Sequence, residues 1–125
     1  MTKHLYNTKD VAEARKELTR RQGNVDPITK LEIPDKQHVL DHDHSTHYVR
    51  AVLHRQTNTM LGKIENGYIR YLRWWYDGTL SDFLRGVADY LDKEHPQEYL
   101  HPSFIRELNT KFSKLNERGK QDVIS

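Results

Sequence analysis

Residues 39–54 read VLDHDHSTHYVRAVLH, a stretch that places two Asp and four His among residues typical of β-strands. The runs 37–40 and 48–53 are rich in β-branched and apolar residues and predict two strands. The polar residues between them are few enough for a hairpin connection. The sequence therefore predicts an antiparallel hairpin whose turn is crowded with carboxylate and imidazole groups.

Helical patterns surround this hairpin. Residues 8–21 have apolar side chains on one helical face, Thr8 or Asp10 available as a cap, and Gly23 just beyond the end. Residues 22–36 contain two prolines and one glycine and predict an ordered loop. The apolar residues of this loop are expected to pack locally: Val25, Ile28, Leu31 and Ile33. Further helices are expected at 58–67, 68–75, 79–93 and 104–117.

Three features characterise the later helices. Tyr71 and Trp75 lie at helical spacing and are expected to pack in the core. Thr79 and Asp82 resemble a capping box at the start of the third of these helices. Gly119 is expected to end the last one. Taken with the hairpin, these elements predict an α+β fold that is mostly helical.

The bulk properties of the chain suit one domain. With 125 residues and 14.9 kDa, it is long enough for one modest core. A net charge of +2 and a pI near 8.8 permit a polyanionic partner without requiring one. No run approaches the roughly 18 apolar residues of a membrane span, and the N-terminus lacks the apolar centre of a signal peptide. We therefore expect a cytoplasmic protein with no membrane partner.

The Asp and His residues of the hairpin suggest hydrolytic chemistry. A carboxylate is an oxygen ligand suited to Mg²⁺, and a neutral imidazole can take a proton from water near neutral pH. Together the two groups favour phosphodiester hydrolysis. Two alternatives stay open on spacing alone. The polar residues can simply crowd a hairpin loop, or His44, His47 and His54 can form a zinc site.

Several segments extend the pattern beyond the hairpin: LDHDH at 40–44, VRAVLHRQTN at 49–58, LG at 61–62, ADYL at 88–91 and HPSF at 101–104. Together they resemble the HNH, or His-Me finger, endonucleases of the phage recombination endonuclease VII family. The resemblance covers roughly residues 9–118. It implies a single domain over 1–125, with a ββα-metal catalytic core at 37–66 and a helical part at 67–125.

The activity that the resemblance implies is Mg²⁺-dependent nicking or cutting of duplex or branched DNA, Holliday junctions included. Asp41 and Asn58 would hold one Mg²⁺, for which Mn²⁺ can substitute, and His42 would be the general base. Asp43 and His44 match the same motif and would orient the site, assist the metal or contact the scissile phosphate. The resemblance also implies a homodimer, and a phage protein that acts in the host bacterial cytoplasm.

Other residues are candidates for DNA contact. Arg50 matches a position of the family motif and would either pair with an Asp of that motif or contact DNA. His47 is either a phosphate contact or a structural residue. The basic face of the first helix and the basic end of the last helix are candidates for binding the DNA backbone, and the alternative for each is a solvated charged face. Their residues are Arg15, Lys16, Arg20, Arg21, Lys111 and Lys114.

The chain departs from the resemblance at one structural feature. Family members usually carry a zinc held by two CxxC pairs, and the corresponding positions here are Val25, Ile28, His54 and Thr57. Because the sequence has no cysteine, no structural zinc is expected, and Val25 and Ile28 are expected to replace it with apolar contacts. Two other functions remain open. One is a catalytically weak or inactive DNA-binding or inhibitory protein on the same scaffold, and the other is a zinc-binding interaction module.

Overall fold

The computed structural model describes residues 1–124, with side chains as far as Asn116. Its elements are α1 Thr8–Arg21, β1 His38–His42, β2 Val49–His54, α2 Arg55–Gly67, a π-helical turn Tyr68–Leu72, α3 Leu80–Asp92 and α4 Ser103–Ile124. The α+β class is confirmed, although about half of the chain is helical rather than most of it. The chain forms two compact units, Met1–Arg85 and a second that begins at Gly86.

The predicted hairpin is present in the first unit. β1 and β2 pair antiparallel in a two-stranded sheet, with Asp41 opposite Ala51. β1 extends two residues beyond the predicted run 37–40, so Asp41 and His42 belong to the strand rather than to the connection. The register shifts after Asp41, because His42 pairs with Val49. This β-bulge lies in the middle of the predicted site.

The helices agree with the sequence patterns in position and differ at their ends. α1 has the predicted bounds, but its cap is Asn7, whose side chain accepts a hydrogen bond from the Asp10 amide at 2.9 Å. α2 begins three residues before the predicted range, because the His54 side chain caps it. The Thr79 and Asp82 capping box is formed. α4 continues past Gly119, so the predicted end of that helix is wrong.

The 22–36 segment is a loop, as predicted, but polar side chains hold it. The Gln22 amide donates to the Val52 carbonyl at 2.8 Å and accepts from the Val52 N–H at 2.8 Å. The Asn24 amide donates to the Ile33 carbonyl at 3.1 Å. Asp26 is 1% exposed and accepts from the His54 N–H at 2.9 Å. The hydrogen bonds of Gln22 and Asp26 tie the loop to β2, and that of Asn24 joins two parts of the loop itself.

The expected apolar packing of this loop is mostly wrong. Ile33 is buried, but Ile28 is 55% exposed and Leu31 is also exposed. In the described part of the chain, the buried apolar side chains are Ile33, Val52 and Leu53. A core this small buries little apolar surface, which explains why the polar connections matter to this unit.

The aromatic residues after α2 are also placed differently from the prediction. Tyr71 and Trp75 are both about two-thirds exposed, and Trp74 is exposed as well. A π-helical turn interrupts the helical spacing here, since the Arg73 N–H bonds to the Tyr68 carbonyl five residues earlier. Among the described residues, no helix combines the length and the apolar composition needed to cross a membrane.

Candidate active site

Asp41 lies at the centre of the site and is held by Arg50. The Asp41 side chain is 8% exposed, and its two oxygens accept from Arg50 Nε at 2.7 Å and Arg50 Nη2 at 3.1 Å. The β-bulge explains this contact. In a regular ladder Arg50 would oppose His42 and point away from Asp41, but the extra residue in β2 turns it to the Asp41 side.

A second carboxylate binds the other side of the same guanidinium. Glu65, on α2, accepts from Arg50 Nη1 at 3.3 Å and from Arg50 Nη2 at 3.2 Å. These hydrogen bonds, first that to Asp41 and then that to Glu65, raise the pKa of Arg50 above its ordinary value, so the cation is permanent. The network connects β1, β2 and α2 through a single side chain.

His42 and His44 are the accessible imidazoles of the site. Asp41 is buried and His42, the next residue in the strand, is exposed, as the alternation of side chains along a strand requires. The rings of His42 and His44 have centroids 4.6 Å apart and are tilted by 42°. Water can therefore reach the imidazole of His42, which the proposed role as a base requires.

Asp43 organises the turn that follows. Its Oδ1 accepts from the Ser45 N–H at 2.8 Å and from the Thr46 N–H at 3.0 Å. These amides, that of Thr46 first, lower the pKa of Asp43 below its ordinary value. His47 closes the turn with a left-handed backbone, φ 68°, and its N–H donates to the Asp43 carbonyl at 2.8 Å. In this structure Asp43 and His47 shape the turn.

Asn58 is placed by the junction between β2 and α2. It lies in the first turn of α2, which begins directly after the strand, and its side chain is half-buried. His54 is the cap of this helix, with Nδ1 accepting from the Gln56 N–H at 3.0 Å. α2, the helix that carries Asn58, contacts both strands of the hairpin.

The alternative zinc site of three histidines does not form. His47 precedes β2 and His54 ends it, and at about 3.3 Å per residue the two ends of a six-residue strand are roughly 16 Å apart. A zinc ion needs its ligands within about 2.1 Å. Across the part of the chain that the structure describes, no three His, Asp or Glu side chains are grouped to hold a metal ion.

The positions that would carry a structural zinc do not fit one either. Val25 and Ile28 offer no ligand atom, and the Nδ1 of His54 is used for the helix cap. Asp26 instead joins the two segments that contain these positions, the 22–36 loop and the start of α2. Its Oδ1 accepts from the Ile28 N–H at 2.7 Å and the Thr29 N–H at 3.0 Å, while its Oδ2 accepts from the His54 N–H.

The Asp26 carboxylate is ionised in this environment. Burial raises its pKa, but hydrogen bonds from the amides of Thr29, His54 and Ile28 and from the Thr57 side chain outweigh burial, so the pKa is below its ordinary value. One buried charge thus accepts hydrogen bonds from two segments that are distant in sequence. This residue holds the start of α2, and with it Asn58, against the 22–36 loop.

The cations predicted to bind DNA at the helix ends are exposed and mostly paired. Arg20 and Arg21 both form ion pairs with Glu17, at 2.7 and 3.1 Å. The hydrogen bonds from Arg20 and then from Arg21 lower the pKa of Glu17 to about 2. Lys111, in the second unit, lies 3.9 Å from Glu107, and Lys114 is exposed. Within the first unit, the ion pairs described for Arg20 and Arg21 are to Glu17 and are separate from the pairs that Arg50 makes with Asp41 and Glu65.

Sequence reasoning missed two residues of the site. Asp26 had a weak signal, because Asp followed by Pro favours a turn, but nothing local indicated a partner 28 residues away. Nothing in the sequence indicated Glu65, since its pairing with Arg50 depends on the bulge and on where α2 lies.

A hairpin with buried carboxylate and exposed imidazole groups, followed by a helix that carries a carboxamide, suits a hydrolase that acts on phosphodiesters. The model of the recombination endonuclease VII family matches residues 1–93 of the chain. The chain therefore belongs to the recombination endonuclease VII family, and it is a cysteine-free member. Membership implies a DNA endonuclease. A search among curated proteins finds no match to this sequence.

Proposed function

We propose that the chain is a Mg²⁺-dependent HNH endonuclease that hydrolyses phosphodiester bonds of duplex or branched DNA, Holliday junctions included. β1, β2 and α2 form its ββα-metal core, which the sequence predicted over 37–66. The observation that carries the proposal is the division of roles at adjacent positions of β1: Asp41 is buried and held, while His42 is open to water. Hydrolysis needs both a fixed anionic ligand and an accessible base.

The donor chemistry of Asp41 and Asn58 fits magnesium. A carboxylate and a carboxamide supply two oxygen ligands, and Mg²⁺ typically takes only one or two protein ligands and keeps the rest for water and phosphate. When bound, the ion would neutralise charge on the phosphate and on the leaving oxygen. Mn²⁺ takes the same oxygen ligands and is expected to substitute.

His42 is the proposed general base. Its exposed ring would take a proton from the attacking water, a step that a neutral imidazole can perform near neutral pH. His44, whose ring lies against that of His42, is proposed to orient it or to contact the scissile phosphate. Asp43 acts mainly through the turn that carries His44, and a direct part in metal binding stays a prediction.

The ion pair between Asp41 and Arg50 favours the second candidate, a catalytically weak or inactive DNA-binding or inhibitory protein. A guanidinium on both oxygens neutralises the charge that attracts a cation. Each carboxylate oxygen nevertheless keeps another lone pair, and the pair fixes the direction of the carboxylate. We therefore propose that Arg50 orients Asp41 and does not block it.

The Arg50→Gln variant distinguishes these two roles. If Arg50 orients Asp41, cleavage falls by roughly 10- to 100-fold, the range for groups that orient a metal ligand. Faster cleavage than wild type would show that the guanidinium obstructs the site. Glu65→Gln, which leaves the Asp41 pair intact, is the matched control and should have the smaller effect.

We also propose that no structural zinc is needed. Asp26 makes, by hydrogen bonds, the connection between the 22–36 loop and the start of α2 that a zinc ion would make. A purified protein with one tightly held zinc per chain, and a melting temperature that falls when a chelator removes it, would contradict this proposal.

A homodimer is the proposed assembly. Resolving a four-way junction requires cuts in two strands, hence two sites related by symmetry. In α4 the apolar residues at helical spacing are exposed: Phe104, Leu108, Phe112 and Leu115. Such a stripe is typical of a helix that packs on another helix. Light scattering on the full chain should give twice the mass of one chain.

The central experiment compares cleavage of supercoiled plasmid and of a synthetic four-way junction, with Mg²⁺ or with EDTA. His42→Ala is expected to lose on the order of 10² to 10⁴ of the rate while it retains DNA affinity, because a positioned acid or base contributes that much. His4→Ala removes an exposed imidazole elsewhere in the first unit and serves as the control.

Asn58→Ala is expected to need more Mg²⁺ for half-maximal cleavage.

Cleavage by His42→Ala at the wild-type rate would remove His42 from the mechanism. DNA binding by the wild type without any cleavage in Mg²⁺ or Mn²⁺ would establish the second candidate function instead.

A further inference from the structure

A surface groove of about 630 Å³ lies between α1, the end of the 22–36 loop, the start of β1 and the start of α2. Four cationic side chains line it: Arg15, Lys16, Lys36 and Arg55. His38 and one carboxylate, Asp35, complete the titratable groups of its described lining. The groove is therefore strongly positive although the chain as a whole carries a net charge of only +2.

The four cations of the groove differ from the other basic residues of α1. Among the described residues, none of the four forms an ion pair with a carboxylate. Arg20 and Arg21, one turn further along the same helix, share Glu17. A cation without a protein partner attracts an external anion more strongly, because no internal pair must be broken.

The groove adjoins the proposed active site through two elements. On α2, Arg55 is three residues before Asn58, and residues at this spacing are neighbours on a helix surface, with Cβ atoms about 5–6 Å apart. On β1, His38 and His42 share one face of the strand, about 13 Å apart at 3.3 Å per residue. That distance corresponds to about four base steps of B-DNA.

We propose that this groove binds the DNA backbone on one side of the cut, with Arg15, Lys16, Lys36 and Arg55 contacting phosphates and with His38, at its edge, about four base steps from the scissile bond. The position relative to that bond rests on the proposed function. The contacts are to phosphates, so they set affinity and register without reading sequence. Lys36 has a left-handed backbone, φ 68°, in the loop that precedes β1.

The test is the salt dependence of DNA binding in EDTA, where no cleavage occurs. Fluorescent duplex and four-way junction are titrated with wild type and with the quadruple variant Arg15→Gln, Lys16→Gln, Lys36→Asn and Arg55→Gln. Asn is chosen at position 36 because it tolerates the left-handed backbone. Circular dichroism and melting temperature establish that each variant is folded.

We expect the slope of log affinity against log salt to fall by about 0.9 for each phosphate contact removed. For four contacts, wild type would lose roughly 10²-fold more affinity than the variant between 50 and 200 mM salt. The control is a pair of exposed cations of the first unit that do not line the groove, Lys63 and Arg85. Arg15→Gln with Lys16→Gln should lower the slope by about 1.8, and Lys63→Gln with Arg85→Gln should change it little.

Equal slopes for wild type and the quadruple variant would overturn the proposal, as would equal effects of the two double variants. Whether the wild type cleaves DNA in Mg²⁺ separates rejection of the groove from failure of the proposed function. Normal cleavage with an unchanged slope rejects the groove alone. A reduced slope for a protein that never cleaves supports the groove and rejects the nuclease mechanism.

Discussion

Two turns of the first unit begin with the same local motif and end in different structures. Asp26 and Asp43 each accept hydrogen bonds from the amides two and three residues later. Asp26 is 1% exposed, and its other oxygen accepts from His54 in a different element. The side-chain hydrogen bonds found for Asp43 stay within its own turn.

The comparison shows what tertiary contact adds to a local turn. A turn carboxylate near water stabilises only its own loop, and only weakly, because water can replace its hydrogen bonds. When the same group is buried against the start of a helix, water cannot replace its hydrogen bonds, so each lost bond leaves a buried polar group without a partner. Asp26 therefore stabilises the whole unit and places Asn58, whereas Asp43 shapes the loop that carries His44.

The largest expected effect is that of Asp26→Asn. An amide has one acceptor oxygen, so it cannot accept both from the loop amides and from His54, and a buried N–H group loses its partner. We expect the free energy of unfolding to fall by about 3 kcal/mol. Chemical denaturation measures this change. A loss below about 1 kcal/mol would mean that Asp26 does not hold the unit together.

The second expected effect concerns pH. The pKa of Asp26 is below its ordinary value in the folded protein, so its stabilising contribution is complete above about pH 4, the unfolded value. The contribution disappears as the pH falls from about 4 through the folded pKa. Unfolding curves over this range should show a steeper loss for wild type than for Asp26→Asn. Parallel curves would exclude Asp26 as the source.

The smallest expected effect is that of the matched substitution Asp43→Asn. The asparagine oxygen can accept the same two amide hydrogen bonds, so the free energy of unfolding should fall by less than about 1 kcal/mol. Cleavage measured against Mg²⁺ concentration sharpens the comparison. A higher Mg²⁺ requirement at nearly unchanged stability would assign Asp43 to the metal, and an unchanged requirement would leave it a turn residue.

Local patterns predicted much of this fold. α1 was predicted with its observed bounds, and the capping box at Thr79 and Asp82 was predicted correctly, because caps and apolar spacing act within a few residues. The hairpin was predicted from two apolar runs around a short polar segment. Predictions of burial at Ile28, Tyr71 and Trp75 failed, since apolar spacing does not say whether another element covers a side chain.

The sequence by itself determined the class of fold, the family and the presence of carboxylate, imidazole and carboxamide groups in the hairpin and the helix that follows it, because these depend on local order along the chain. Only the tertiary structure decided how those groups are held. The bulge that turns Arg50 toward Asp41, the pairing of Arg50 with Glu65 and the burial of Asp26 against His54 all join segments that are distant in sequence. Such contacts depend on register and burial, which act through space.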